Sequence, residues 1–148
     1  MLTLDLPNGP YWLDLPHGVR AEVRPVTTAV MAAAQAAAAR RLGAERAAAG
    51  EGGIDPDMAK GLAFAFLVKA LARHAVVAWE GVGDRAGVPL DPTPENVERL
   101  MDLDDVAAAF WDKATIPVAS VAAEGNGSGP APGGISAAGP STAAAAPP

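Results

Sequence analysis

Residues 55–90 read DPDMAKGLAFAFLVKALARHAVVAWEGVGDRAGVPL, and the fold follows from this stretch. Asp55 offers a side-chain acceptor, Pro56 occupies the first helical position where its missing N–H costs nothing, and Asp57 adds negative charge at the positive end of the helix dipole. Phe64, Leu67, Val68, Leu71, Ala72, Ala75, Val76 and Trp79 then recur at helical spacing, which predicts one continuous helix to about Trp79. The opposite side is mixed: Lys69 and Arg73 lie there beside Leu62, Phe66 and Val77. A helix apolar on nearly two sides is either central in a bundle or covered by a partner. Leu62, Phe66 and Val77 are therefore core residues on one reading and a partner-binding face on the other. Past Trp79-Glu80 the period breaks. Gly81, Gly83 and Gly87 punctuate a short segment in which Asp84–Gly87 turns between Val82 and Val88–Leu90. The glycines follow a helix and lack the third glycine of a dinucleotide loop, so they are not a phosphate cradle.

Upstream, Tyr11–Leu15 and Val19–Val23 read as two short strands joined by Pro16-His17-Gly18, a β-hairpin whose second strand alternates Arg20, Glu22 and Arg24 with Val19, Ala21 and Val23. Thr27 or Thr28 caps a second helix that runs to about Ala49. Val30, Met31, Ala34, Ala38 and Leu42 give it a shallow apolar stripe. Alanine favours helix but buries little, so this helix needs close packing on a neighbour.

Downstream, Thr93-Pro94-Glu95 opens a short helix with Val97, Leu100 and Met101 on its apolar side. A last helix spans Asp105 to about Ala114, with Leu103, Val106 and Phe110 facing inward and Trp111 flanking them; Pro117 ends the ordered reading. Beyond Val118 Ala, Gly, Pro and Ser dominate and Glu124 is the sole charge, a composition that cannot bury a face. The expectation is one mainly α domain over residues 1–117, a small helical bundle with a short N-terminal β-hairpin and a minor β-turn segment after the central helix. Residues 118–148 are expected to form a disordered tail.

Half of the residues are hydrophobic but aromatics are only 5%, so the core must combine small residues with a few large anchors. Trp79 and Trp111 are the anchors with a second reading, since tryptophan also dominates interface hot spots. The chain has no cysteine, and its first serine is Ser120, so cysteine and serine nucleophiles are absent from the folded part. His17 and His74 lie far apart, one in a turn and one within a helix, without metal-ligand spacing. Asp102, Asp104 and Asp105 lack the pattern of a calcium loop, with Val106 at a ligand position and Lys113 at the closing one. No catalytic, cofactor-binding or metal constellation emerges, and a non-enzymatic binding protein is expected. No apolar run approaches the ~20 residues of a membrane span, and Asp5 in a segment without basic residues argues against a secretory signal.

Net charge is −6, unevenly spread. Between Glu80 and Asp112 nine acids outnumber Arg85 and Arg99, whereas between Arg20 and Arg46 five arginines outnumber Glu22 and Glu45. Such asymmetry steers a charged partner or pairs the two halves internally. The overall acidity argues against nucleic acid as the ligand.

The order of parts resembles a known family. Val23-Arg24-Pro25 with Thr27-Thr28, the step Trp79-Glu80-Gly81-Val82, the glycine turn with Pro89-Leu90, the helix start Thr93-Pro94-Glu95-Asn96-Val97 and the pair Leu100-Met101 are similar to the tail assembly chaperones of long-tailed bacteriophages and phage-derived elements, over roughly residues 10–112. The resemblance implies a non-enzymatic protein of the host cytoplasm that binds the tape measure protein, recruits major tail tube subunits and is absent from the mature particle. It carries no catalytic residues to this chain and leaves self-association open. It maps no partner-binding residues onto these positions; the second face of the helix and the tryptophans mark Leu62, Phe66, Val77, Trp79 and Trp111 as candidate partner-binding residues. A structural phage component, such as a head–tail connector or tail terminator, is the alternative.

Overall fold

A computed structural model describes residues 1, 4 and 6–127, with side chains through residue 115. Strand β1 (Tyr11–Asp14) pairs antiparallel with β2 (Arg20–Val23), with Tyr11 opposite Val23 and Leu13 opposite Ala21. The Pro16–Gly18 turn joins them as expected; His17 and Gly18 both take positive φ, and Leu15 N–H donates to the Val19 carbonyl. Helix α1 (Thr28–Ala48) starts on the Thr27 hydroxyl, which accepts from Val30 N–H at 3.2 Å. Ala34 and Ala38 are buried, and their small side chains let α1 lie close along α2 (Pro56–Ala75). Asp55 caps α2 by accepting from the N–H groups of Asp57 and Met58, each at 3.1 Å.

The central helix ends earlier than its apolar stripe suggests. Helix α2 stops at Ala75, and Val76–Glu80 form strand β3, which pairs antiparallel with β2 to complete a three-stranded sheet in the order β1-β2-β3. Arg24 N–H takes the Ala75 carbonyl at 2.8 Å, and the exposed edge of β2 supplies partners for the backbone beyond it. The β-branched Val76 and Val77 favour that extended state over a further helical turn. A bulge between Glu22 and Val23 accommodates the junction. Gly81 follows at φ 80°, with space for no side chain: a Cβ there would lie 2.5 Å from the Gly18 carbonyl oxygen. The turn beyond forms as the sequence implies, with a Gly83–Pro89 bridge and the Asp84 carboxylate accepting from Ala86 and Val88 N–H.

Thr93 caps α3 (Pro94–Leu100), which buries Val97 and Leu100 and is followed by buried Met101. Helix α4 begins at Asp104 and buries Val106, Ala107, Phe110 and Ala114; Phe110 is the largest fully buried side chain. Two expectations change here. Leu103 faces solvent at 48% exposure, because it sits in the tight turn between α3 and α4 and spends its backbone on the Leu100 and Ala107 hydrogen bonds. The helix also runs through Pro117 to Gly127, past the expected stop near Ala114 and into the first residues of the expected tail. Pro117 removes one ladder donor, and Ala119, Ala122 and Ala123 supply the strongest helix propensity beyond it. The rest of that tail, 128–148, lies outside the described residues.

The core joins the inner sheet face (Leu13, Ala21, Val23) to Val68 and Leu71 of α2 and to Val97, Val106 and Phe110. No described polar side chain is buried, and no buried described side-chain nitrogen or oxygen lacks a partner. The fold is mainly α with a small N-terminal sheet, as its class was read from sequence.

Candidate partner-binding surface

The five residues singled out from sequence do not share one face. Phe66 is a correction: it is buried at 7% exposure, under the Arg41 guanidinium, whose carbon stands 4.6 Å from the ring centroid. Arg41 and Arg73 both reach Glu98, each at 3.1 Å, so α1 and α3 close over this side of α2. Leu62 is half-buried. Val77 and Trp79 belong to β3 rather than to the helix, and the Trp79 indole N–H donates to the Leu90 carbonyl at 2.6 Å. That indole therefore pins the glycine turn against the sheet. Trp111 is partly buried on α4, its ring edge-on to Phe64 at 5.5 Å and 68°.

Phe64, read from sequence as an inward residue, is 46% exposed. Its neighbours along the helix explain why it matters. Lys60, Ala63, Phe64 and Leu67 stand at i, i+3, i+4 and i+7, so they share one stripe of α2. Ala63 and Leu67, with Gln35, Ala38, Ala39 and Leu42 of α1, line a hollow of about 220 Å³. A second hollow of about 380 Å³ continues it through Leu42 and Ala63 to Ile54, Pro56, Ala59, Arg46 and Lys60. Together they form one groove between antiparallel helices, with Phe64 and Trp111 beside it on the α4 side. The signal lay in the sequence as the Lys60–Leu67 spacing. Phe64 and Phe66 are two residues apart and so point about 200° apart around a helix. Which of them is covered depends on where α1, α3 and α4 pack.

The remaining polar groups serve the fold. His17 Nε2 and Asp105 Oδ2 lie 2.7 Å apart and tie the hairpin turn to the start of α4. Lys113 donates to the Asp14 carbonyl, and Tyr11 O–H reaches the Ala114 carbonyl at 3.5 Å. Burial pushes the Tyr11 phenol above its ordinary value of 10.0. Arg20 lies over the Trp12 ring and pairs with Asp14 and Glu80 across the outer sheet face. His74 is exposed on α2. Among the described residues no group of three or more His, Cys, Asp or Glu is placed to hold a metal ion. No described helix is long and apolar enough to cross a membrane. What this surface offers chemically is apolar contact, one aromatic edge and two cations.

A sequence model of the family described as YdaY prophage protein matches residues 28–126, from the start of α1 to the last turn of α4. No curated protein and no solved structure matches the chain.

Proposed function

Because this chain belongs to the YdaY prophage protein family, and so derives from a phage, we propose that it works as a tail assembly chaperone. It acts by binding rather than by catalysis. It holds the tape measure protein in the host cytoplasm, recruits tail tube subunits to it and leaves before the particle is complete. The observation that carries this reading is the open α1–α2 groove with Phe64 exposed beside it. Two antiparallel helices with an unfilled groove present the position of a third helix. A long helical protein awaiting assembly exposes apolar stripes that such a position covers, which keeps it from self-association. The sequence resemblance around Trp79-Glu80-Gly81-Val82 supports the same reading.

Co-expression with the tape measure and tail tube proteins encoded by the same prophage, followed by size-exclusion chromatography, tests it. The expected result is a soluble complex with the tape measure protein that is lost with Phe64→Glu. Absence of any complex refutes the proposal. Stoichiometric presence in purified mature particles, read by mass spectrometry, refutes it in favour of a structural component.

A further inference from the structure

The groove carries enough chemistry to define its occupant. We infer that it takes a single amphipathic α-helix of a partner protein, which lays small aliphatic side chains on Ala39, Leu42, Ala63 and Leu67 and sets a carboxylate between Arg46 and Lys60. This rests on the reading above that the chain holds a helical protein, and it names where and by what chemistry.

Three observations lead there. The first is shape. The groove runs from Gln35 to Arg46 along α1, about 16 Å at the helical rise, and so matches roughly three turns of a helix laid beside it. Its alanine floor lets another helix approach closely, and close approach selects small side chains on the incoming face. The second is backbone chemistry. The groove is walled by helices whose own N–H and C=O groups are already paired, so an extended peptide would lay unmatched backbone groups on an apolar floor. A helix satisfies its backbone internally. The third is charge. Arg46 and Lys60 are the charged residues lining the groove, both at its end near Ile54, and neither makes an ion pair among the described residues. The chain as a whole carries net charge −6; Arg41, Lys69 and Arg73 elsewhere along the bundle are held by Glu98 and Asp102, and Arg40 and Arg99, which form no ion pair among the described residues, do not line the groove. Two exposed cations at one end of an apolar groove select a carboxylate at that end of the ligand and fix its direction.

The test displays a library of amphipathic helices of about 18 residues, long enough to overrun the groove, and selects on the full chain. Enriched helices are expected to carry Ala or Val at i, i+3 and i+7 and Asp or Glu in one terminal turn. The double variant Arg46→Glu, Lys60→Glu should bind those helices on the order of tenfold more weakly and enrich Lys or Arg in their place. Both residues are exposed, so this variant keeps the fold. Ala39→Trp, from an exposed position on the α1 wall, should abolish binding without lowering the melting temperature. The inference is overturned by no enrichment, by enrichment without charge preference, or by undiminished binding to Ala39→Trp. A concentration-dependent dimer in sedimentation that Ala39→Trp dissociates also overturns it, because the occupant is then a second copy. If the tape measure protein co-purifies but ignores the charge reversal and Ala39→Trp, this inference fails and the chaperone reading stands. If selected helices behave as expected but the tape measure protein does not co-purify, the chaperone reading fails and the groove stands.

Discussion

Phe64→Ala and Phe66→Ala, compared side by side, test the rotation of α2 on which the binding surface depends. Phe66 is 7% exposed and carries the Arg41 guanidinium on its ring. Truncating a buried phenylalanine costs about 3–5 kcal/mol from lost transfer energy and the cavity left behind. The half-exposed Arg41 contact adds roughly 0.5–1 kcal/mol. Phe64 is 46% exposed. About half of the 1.5–3 kcal/mol of a fully buried side chain is at stake there, with part of the edge contact to Trp111, for a total near 1–2 kcal/mol. A domain of this size has roughly 5–15 kcal/mol in total and loses about 4–5 °C of melting temperature per kcal/mol. Phe66→Ala, at about 3.5–6 kcal/mol, should therefore melt about 14–30 °C below the parent, and Phe64→Ala about 4–10 °C below. Both variants keep Trp12, Trp79 and Trp111, so urea titrations followed by tryptophan fluorescence read the two changes with the same probes. Equal losses, or a larger loss at Phe64, would refute the orientation of α2 and the groove with it.

Three further outcomes follow from the same contacts. Gly81→Ala should cost roughly 2–4 kcal/mol, because φ 80° strains any side chain and its Cβ would meet the Gly18 carbonyl, whereas Gly87→Ala, at φ 82° with nothing within 4 Å, should cost about 1 kcal/mol; paired thermal melts separate them. Glu98→Gln removes both arginine pairs and should lose about 1 kcal/mol at low salt and almost nothing at 1 M salt, since these pairs are partly exposed and screened. Burial raises the folded-state value of the Tyr11 phenol, so its contribution is complete below the ordinary value of 10.0 and is lost as pH rises through the raised one. Alkaline melts should show that decline in the parent and a smaller one in Tyr11→Phe.

Local chemistry was legible in the sequence and distant pairing was not. The caps at Thr27, Asp55 and Thr93 depend on residues two or three positions away, and each forms as read. The Tyr11–Val23 hairpin depends on one turn. Strand β3 is different. Val76 and Trp79 continue the phase of the α2 stripe, and no glycine marks a helix end at Ala75. What ends the helix is the edge of β2, far back in the chain, and a helical pattern carries no trace of it. The two phenylalanines show the same limit. Periodicity separates Phe64 from Phe66 but does not say which side receives α3. The charge asymmetry resolves in part: Arg20 with Glu80 and Arg41 with Glu98 pair the basic segment with the acidic one.

Alanine in α1 links the stability of this fold to its proposed use. Ala34 and Ala38 bring α1 close to α2, which no larger residue would permit at the same spacing. The same economy of side chain at Ala39 and Ala63 leaves the groove unfilled by the described residues. Larger aliphatic residues there would bury more apolar surface and raise stability, because most natural domains sit below their stability optimum. They would also occupy the space a partner helix needs. Phe66, one turn from Ala63 and opposite Phe64, shows the alternative, where an aromatic ring is covered by Arg41, itself paired with Glu98. One helix thus has a covered flank that holds the bundle and a shallow flank whose apolar floor and two cations, Arg46 and Lys60, are unused within the described fold.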